Sequence, residues 1–172
     1  MDKVLDQLLV TGIRKKAILE ILGSVDQKSA LIAPLLNEIR SDNKVRRRKA
    51  VWVFRNLVLS PKIQLNSSHF MEITEILRTE RDSSIIRDLL KIMIDLPAPE
   101  ESTGQLTDIC FKLLSQGKYA VKYYSLNFLE KQCKDWPELK DELIDAATSQ
   151  QDLYTKSFKH HVSKMLKRFG KS

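Results

Sequence analysis

Apolar residues recur at i, i+3, i+4 and i+7 along nearly the whole chain, broken about every 15 to 20 residues. That spacing is one face of an α-helix rather than the two-residue alternation of a strand. In the stretch from 44 to 60, KVRRRKAVWVFRNLVLS, one stripe runs through Ala50, Phe54, Leu57 and Val58, with Val51 and Val53 on its shoulders. Leu59-Ser60-Pro61 should end this helix, because proline cannot continue it and disfavours helical geometry in the residue before it. Leu96-Pro97-Ala98-Pro99 and Gln116-Gly117 read as further stops. Ser102 with Gln105 resembles a capping box, and Pro137 fits a first helical turn, with Trp136 as a staple before it. About ten helices result, with no strand pattern among them, so the fold class is all-α.

The helices repeat. Five stretches align: IRKKAILEIL from Ile13, RRRKAVWVF from Arg46, IRDLLKIMI from Ile86, VKYYSLNFL from Val121 and FKHHVSKML from Phe158. One column is always basic (Arg14, Arg47, Arg87, Lys122, Lys159), at separations of 33, 40, 35 and 37. Three residues on, the column is small or apolar (Ala17, Ala50, Leu90, Ser125, Val162). Seven on, it is large and apolar (Ile21, Phe54, Ile94, Leu129, Leu166). Asp42 and Asp82 each precede their arginine by five residues. No pair of short helices buries its apolar stripe alone, so units of this period must stack on their neighbours.

This pattern, D-x-x-x-V-R-x-x-A followed by a leucine on the second helix of a pair, resembles HEAT repeats, in a divergent, armadillo-type form. RRKAVWVF, AVKYYSLNFL, WPELKDEL and YTKSFKHHVSKMLKRF are similar to a group of short bacterial HEAT-like proteins. The resemblance implies an α-solenoid, or superhelix, of about four to five helix pairs. It would form a single domain over 1–172, with a cap at 1–23 and repeats at 26–60, 66–97, 101–134 and 137–169. The basic column, with Asp42 and Asp82, would form a structural ladder between repeats by pairing with Asp or with backbone carbonyls at the turns.

In HEAT-like arrays the second helices line the concave face, which implies outward positions one, five and eight residues after the basic column. These are Lys15, Leu19 and Leu22; Arg48, Trp52 and Arg55; Asp88, Ile92 and Asp95; Tyr123, Asn127 and Glu130; His160, Lys164 and Lys167. Arg48 and Arg55 flank Trp52 at i−4 and i+3, while Arg46 and Lys49 are expected to be solvated. The candidate partner-binding residues are Arg48, Trp52, Arg55, Asp88, Asp95, Tyr123, His160, Lys164 and Lys167.

Charge narrows the partner. With 29 Lys and Arg against 22 Asp and Glu, the formal net charge is +7, a mild preference for something anionic. Asp88, Asp95 and Glu130 in the middle of the inner face argue against tracking a phosphate backbone, whose affinity grows with the phosphates neutralised. The segment from Leu153 to Ser172 carries Lys156, Lys159, Lys164, Lys167, Arg168 and Lys171 with no acid. It reads either as a solvated cap or as a contact for an acidic partner.

Catalytic patterns are missing. His160 and His161 are adjacent and diverge by about 100° on a helix, His69 is remote, and there is no glycine-rich phosphate loop. Cys110 and Cys133 read as buried thiols. No metal, cofactor or catalytic residue is expected. The first ten residues carry Asp2, Lys3 and Asp6 and no run is long enough to span a membrane, so a cytoplasmic location is expected. The function expected is that of a non-enzymatic scaffold binding a protein segment. The alternative is nucleic-acid binding: some HEAT-like proteins are similar to alkylpurine DNA glycosylases, and Trp52 with Asp88 or Asp95 would then hold a cationic base.

Overall fold

The C-terminal two-thirds of the 44–60 stretch is apolar on both sides of its stripe, and the fold uses both. The computed structural model describes residues 2–10, 12–60, 63–149 and 155–170, with Asp2 as backbone only. Among the described residues the chain is all-helical, with no strand, as the apolar periodicity predicts. It divides into two compact units, Met1–Ala98 and Pro99–Ser172.

The first unit holds α1 (Asp2–Leu9), α2 (Lys15–Ser24), α3 (Ile32–Ile39, after a 3-10 turn at Lys28–Leu31), α4 (Lys44–Val58), α5 (Ser67–Thr79) and α6 (Ser83–Asp95). Helix α4 is its hub, packing against α1, α2, α3 and α6. A helix with neighbours on two sides must be apolar on two sides, and Ala50, Val51, Val53, Phe54, Leu57 and Val58 are all fully buried. Leu35, Leu36 and Ile39 from α3 and Ile85, Leu89 and Met93 from α6 are buried with them.

Short polar side chains set the helix starts. Asn43 accepts the Arg46 N–H at 3.1 Å, and Asp82 accepts the Ser84 N–H at 2.9 Å. Asn66 and His69 form a reciprocal capping box at the head of α5, so the remote histidine is a capping residue. Helix α4 stops at Val58 and α6 at Asp95, ahead of Leu96-Pro97; Pro61, read as the stop after α4, lies outside the described residues.

The second unit holds α7 (Glu100–Gln116), α8 (Tyr119–Gln132), α9 (Leu139–Thr148) and α10 (Lys156–Arg168). Helices α7 and α8 form a hairpin, α9 packs on both, and α10 lies against α8 and α9. Leu106, Leu114, Leu126, Phe128, Leu143, Phe158 and Met165 fill the core. Cys110 and Cys133 are buried free thiols, as expected, and burial raises the pKa of each.

The α7–α8 hairpin needs glycine at 117, because a Cβ there would sit 2.5 Å from the Leu113 carbonyl oxygen and 2.8 Å from Val121 Cγ1. One expectation fails at the start of α7. Its N-cap is Pro99, not Ser102, and the Ser102 hydroxyl is buried without a hydrogen-bond partner. Glu100 and Glu101, rather than a capping box, occupy the first turn and favour the helix dipole there.

Candidate functional site

The basic run that opens α4 is tied down residue by residue. Arg46 donates from Nε to Glu38 at 2.8 Å and from Nη2 to Asp6 at 2.7 Å. Arg47 donates to the Ile39 carbonyl at 2.8 Å and pairs with Glu80. Arg48 Nε donates to Asp82 at 2.8 Å, and Lys49 donates to the Val10 carbonyl. Arg46 and Lys49 are therefore bonded rather than merely solvated, which corrects the expectation from their position. Two further long pairs in this unit are Arg40 with Glu72 and Arg55 with Asp95 at 3.9 Å. Apart from Arg46 with Glu38, eight residues apart, each of these ion pairs joins a cation to an acid roughly one period away, because stacked repeats bring equivalent positions together.

Of the expected ladder, two members share one kind of contact. Arg47 and Lys122 both reach back to carbonyls at the end of the preceding helix; Lys122 Nζ donates to Ser115 at 2.9 Å. The acid beneath Arg47 is Glu80, not Asp42, which is exposed. Asp82 serves Arg48 instead of Arg87, and Arg87 turns to Asp88 at 3.0 Å. Although burial pushes the Asp82 carboxyl upward, the Arg48 hydrogen bond, with the Ser84 N–H, holds it below its usual range. Arg14 is exposed at the N-cap of α2, one residue ahead of the helix its counterparts occupy. Lys159 is half-buried on α10.

Around Trp52 these helices leave a groove of about 530 Å³. Lys15 and Ile18 of α2, Val45, Arg48, Lys49 and Trp52 of α4, and Ser84, Arg87 and Asp88 of α6 line it, with Ile13 at one edge. Trp52 is half-exposed, and Lys15 Nζ lies 5.7 Å from its ring centroid, within cation–π range. Val45, one of these lining residues, is 63% exposed. Burial lowers the pKa of Lys49.

The outward positions fare unevenly. Lys15, Leu19, Arg48 and Asp95 are exposed, whereas Leu22, Ile92 and Asp88 are buried. Asp88 was expected at the surface; it is 7% exposed because Arg87 and Lys91 both donate to its carboxylate, at 3.0–3.1 and 3.3 Å. Arg55 and Asp95 pair with each other outside the groove lining. Sequence reading missed Lys49, Ser84 and Arg87 as groove residues. Lys49 was legible, since it stands three residues before Trp52 and shares its face; Ser84 and Arg87 come from another helix.

Tyr123, His160, Lys164 and Lys167 lie in the second unit. His160, Lys164 and Lys167 are exposed on α10. Arg168 is spent on Glu130, with Nη2 to Oε2 at 2.7 Å. Leu153, Tyr154, Lys171 and Ser172 of the basic segment lie outside the described residues. Half-buried Tyr123 packs edge-on to Tyr124 and 4.5 Å from the His161 ring.

His161 Nε2 is shielded and has no hydrogen-bond partner among the described residues. Burial lowers the pKa of this imidazole; Arg168, Lys164 and His160 add to the effect, and Glu130 opposes it. The unfolded chain therefore takes up the proton first. As pH falls below about 6.5 the second unit should lose stability, levelling off below the folded pKa. His161→Phe should flatten that part of the profile. Thermal melts at pH 7.5, 6.5 and 5.5 test this, and unchanged slopes would rule it out.

No group of three or more His, Cys, Asp or Glu residues suited to a metal ion occurs among the described residues, and no helix there is long and apolar enough to cross a membrane. The HEAT repeat domain model matches residues 5–169 of this chain. No curated protein and no solved structure matches it. HEAT repeats are commonly scaffolds for protein interaction.

Proposed function

Since the chain belongs to the HEAT repeat domain family, we propose that it is a non-enzymatic binding module that holds a protein segment in the Trp52 groove. The family match runs through both compact units, which supports reading the chain as one repeat domain.

The observation that carries this reading is the groove itself. A half-exposed indole stands beside an exposed valine, and Lys15, Arg48, Lys49 and Arg87 surround them against a single carboxylate, Asp88. Protein interfaces concentrate their energy in Trp, Tyr and Arg anchors, and Trp52 with Arg48 supplies two of these types in one groove. The partner fitted is a segment with an apolar or aromatic anchor and flanking acids. On the second unit, exposed Lys164, Lys167 and His160 of α10 are the further contacts this reading assigns.

Nucleic acid is the alternative partner, and the stacking face of Trp52 among cations favours it. Against it, Arg48 is paired with Asp82, Arg87 with Asp88 and Lys49 with a carbonyl, which leaves too little charge for a run of phosphates. A segment anchored by burial on Trp52 instead needs only exposed Lys15 beside it for a flanking acid. Base excision fares worse. Asp88 is engaged by two cations and Asp95 lies 3.9 Å from Arg55, so neither carboxylate is poised for a cationic base.

Peptides selected from a displayed random library on the immobilised protein should share an anchor and acidic flanks. Trp52→Ala should weaken them at least about tenfold, the behaviour of an interface hot spot. Failure to select any peptide, or affinity indifferent to Trp52, would end this reading. If single-stranded DNA instead binds at physiological salt and is lost on Arg48→Glu/Arg55→Glu, the alternative takes its place.

A further inference from the structure

The second unit contains a separate cavity of about 290 Å³ between the first half of α7 and the turn that leads into α9. Thr103, Gly104, Thr107 and Asp108 form one wall, and Trp136 and Glu138 the other. We propose that this cavity takes the side chain of a lysine or arginine from a protein partner.

Each wall matches one part of such a side chain. The hydroxyls of Thr103 and Thr107 are turned back onto the helix, donating to the Pro99 and Thr103 carbonyls at 2.9 Å each. With the hydroxyls so engaged, these residues contribute little polarity to the cavity, which suits an aliphatic stem. Trp136 supplies an indole, the aromatic surface that best attracts a cation. Asp108 and Glu138 are exposed at the rim, and no cation pairs with either among the described residues. Lys140, two residues beyond Glu138, is directed to the ring of Phe169 instead, 5.7 Å from its centroid. A stem in an apolar slot with its charged head among carboxylates is how lysine and arginine divide between apolar and wet surroundings.

Gly104 points the same way. It sits in the fifth position of α7, where glycine is about 1 kcal/mol worse than alanine for the helix. A Cβ at this residue would meet nothing within 4 Å, and its φ is not positive. Neither conformation nor internal packing requires glycine here, and the space it leaves opens into the cavity. Glu138 at an N-cap also suits the helix dipole, but Asp108 is the ninth residue of α7 and has no such role. At about 290 Å³ the cavity suits one side chain rather than a drug-sized ligand.

The chain has two tryptophans, one in each unit, so its two indole N–H resonances report the two sites separately. The full ¹⁵N-labelled chain would be titrated with blocked Gly-Lys-Gly, Gly-Arg-Gly and the uncharged control Gly-norleucine-Gly. The Trp136 resonance should shift saturably with the lysine or arginine peptide, at least about tenfold more weakly with norleucine, while Trp52 stays still.

Gly104→Leu fills the cavity yet improves helix propensity. It should abolish the shift without lowering the melting temperature. Should that variant misfold, Asp108→Asn/Glu138→Gln removes the charge alone and should weaken binding at least about tenfold. An immobile Trp136, an equal response to norleucine, or binding that survives in both variants would overturn the assignment. The groove reading stands apart from these results, because it is read at Trp52 with acidic peptides.

Discussion

Phe54→Ala is expected to lower the stability of the first unit by about 4 kcal/mol, within the range found when a buried phenylalanine is truncated. The side chain is fully buried in the middle of the one helix that touches α1, α2, α3 and α6 together. Its removal forfeits the transfer free energy of a phenyl ring and leaves a hole beside the helix on which the unit's other helices converge. Rigid helices converging from several directions cannot all move inward, so the cavity should persist and its share of the loss remain.

A domain of this size is commonly stable by only about 5–15 kcal/mol, which puts the variant near the edge of folding. In a Trp136→Phe background, Trp52 fluorescence follows this unit alone, and the urea midpoint should fall by about 2 M. Leu59→Ala, at a surface position just past the end of α4, should change stability by no more than about 0.5 kcal/mol. A loss under about 1 kcal/mol for Phe54→Ala would show that α4 is not the hub.

Glu80→Ala should destabilise the same unit by about 3 kcal/mol, through charge rather than volume. This carboxylate is almost fully buried, and each of its oxygens has a task. Oε1 accepts the backbone N–H groups of Arg81 and Asp82, both at 2.7 Å, closing the α5–α6 turn. Oε2 pairs with Arg47, which is itself pinned to the Ile39 carbonyl on α3. Alanine would orphan two turn amides and leave a guanidinium, only a quarter exposed, without its counter-charge.

Glu80→Gln keeps an acceptor for the turn and removes only the charge, so it should lose about half as much. A double-mutant cycle with Arg47→Met should return a coupling above about 1 kcal/mol. Additivity of the two changes would show that the pair is decorative.

The pattern of residues already carried the helices. Periodic apolar positions, Leu96-Pro97 and Gln116-Gly117 marked the helices and two of their ends, and the basic column exposed the repeat. Reaching from that column to a carbonyl of the preceding helix, as Arg47 and Lys122 do, is a local interaction that a repeating spacing can announce. Failures occurred where the decisive neighbour is remote in sequence. Asp42 stands five residues before Arg47, yet Glu80, 33 residues on, holds it. Asp88 is a failure of another kind: it matched an outward position by helical count, yet it is buried, with its carboxylate held by Arg87 and Lys91, one residue before and three after it on the same helix.

What the sequence determined by itself is therefore the helical class, the period near 36 and the presence of a tryptophan set among arginines on one helix. Those follow from spacing within single helices, where geometry is local and regular. Only the tertiary structure decided that the four-residue basic run is largely engaged by partners, that Lys15, Ser84 and Arg87 join Trp52 in one groove, and that Trp136 walls a cavity with Asp108. The physical reason is that charge and shape at a surface are sums over neighbouring helices. Stacking repeats sets which acid meets which cation, and periodicity along one helix carries no record of that choice.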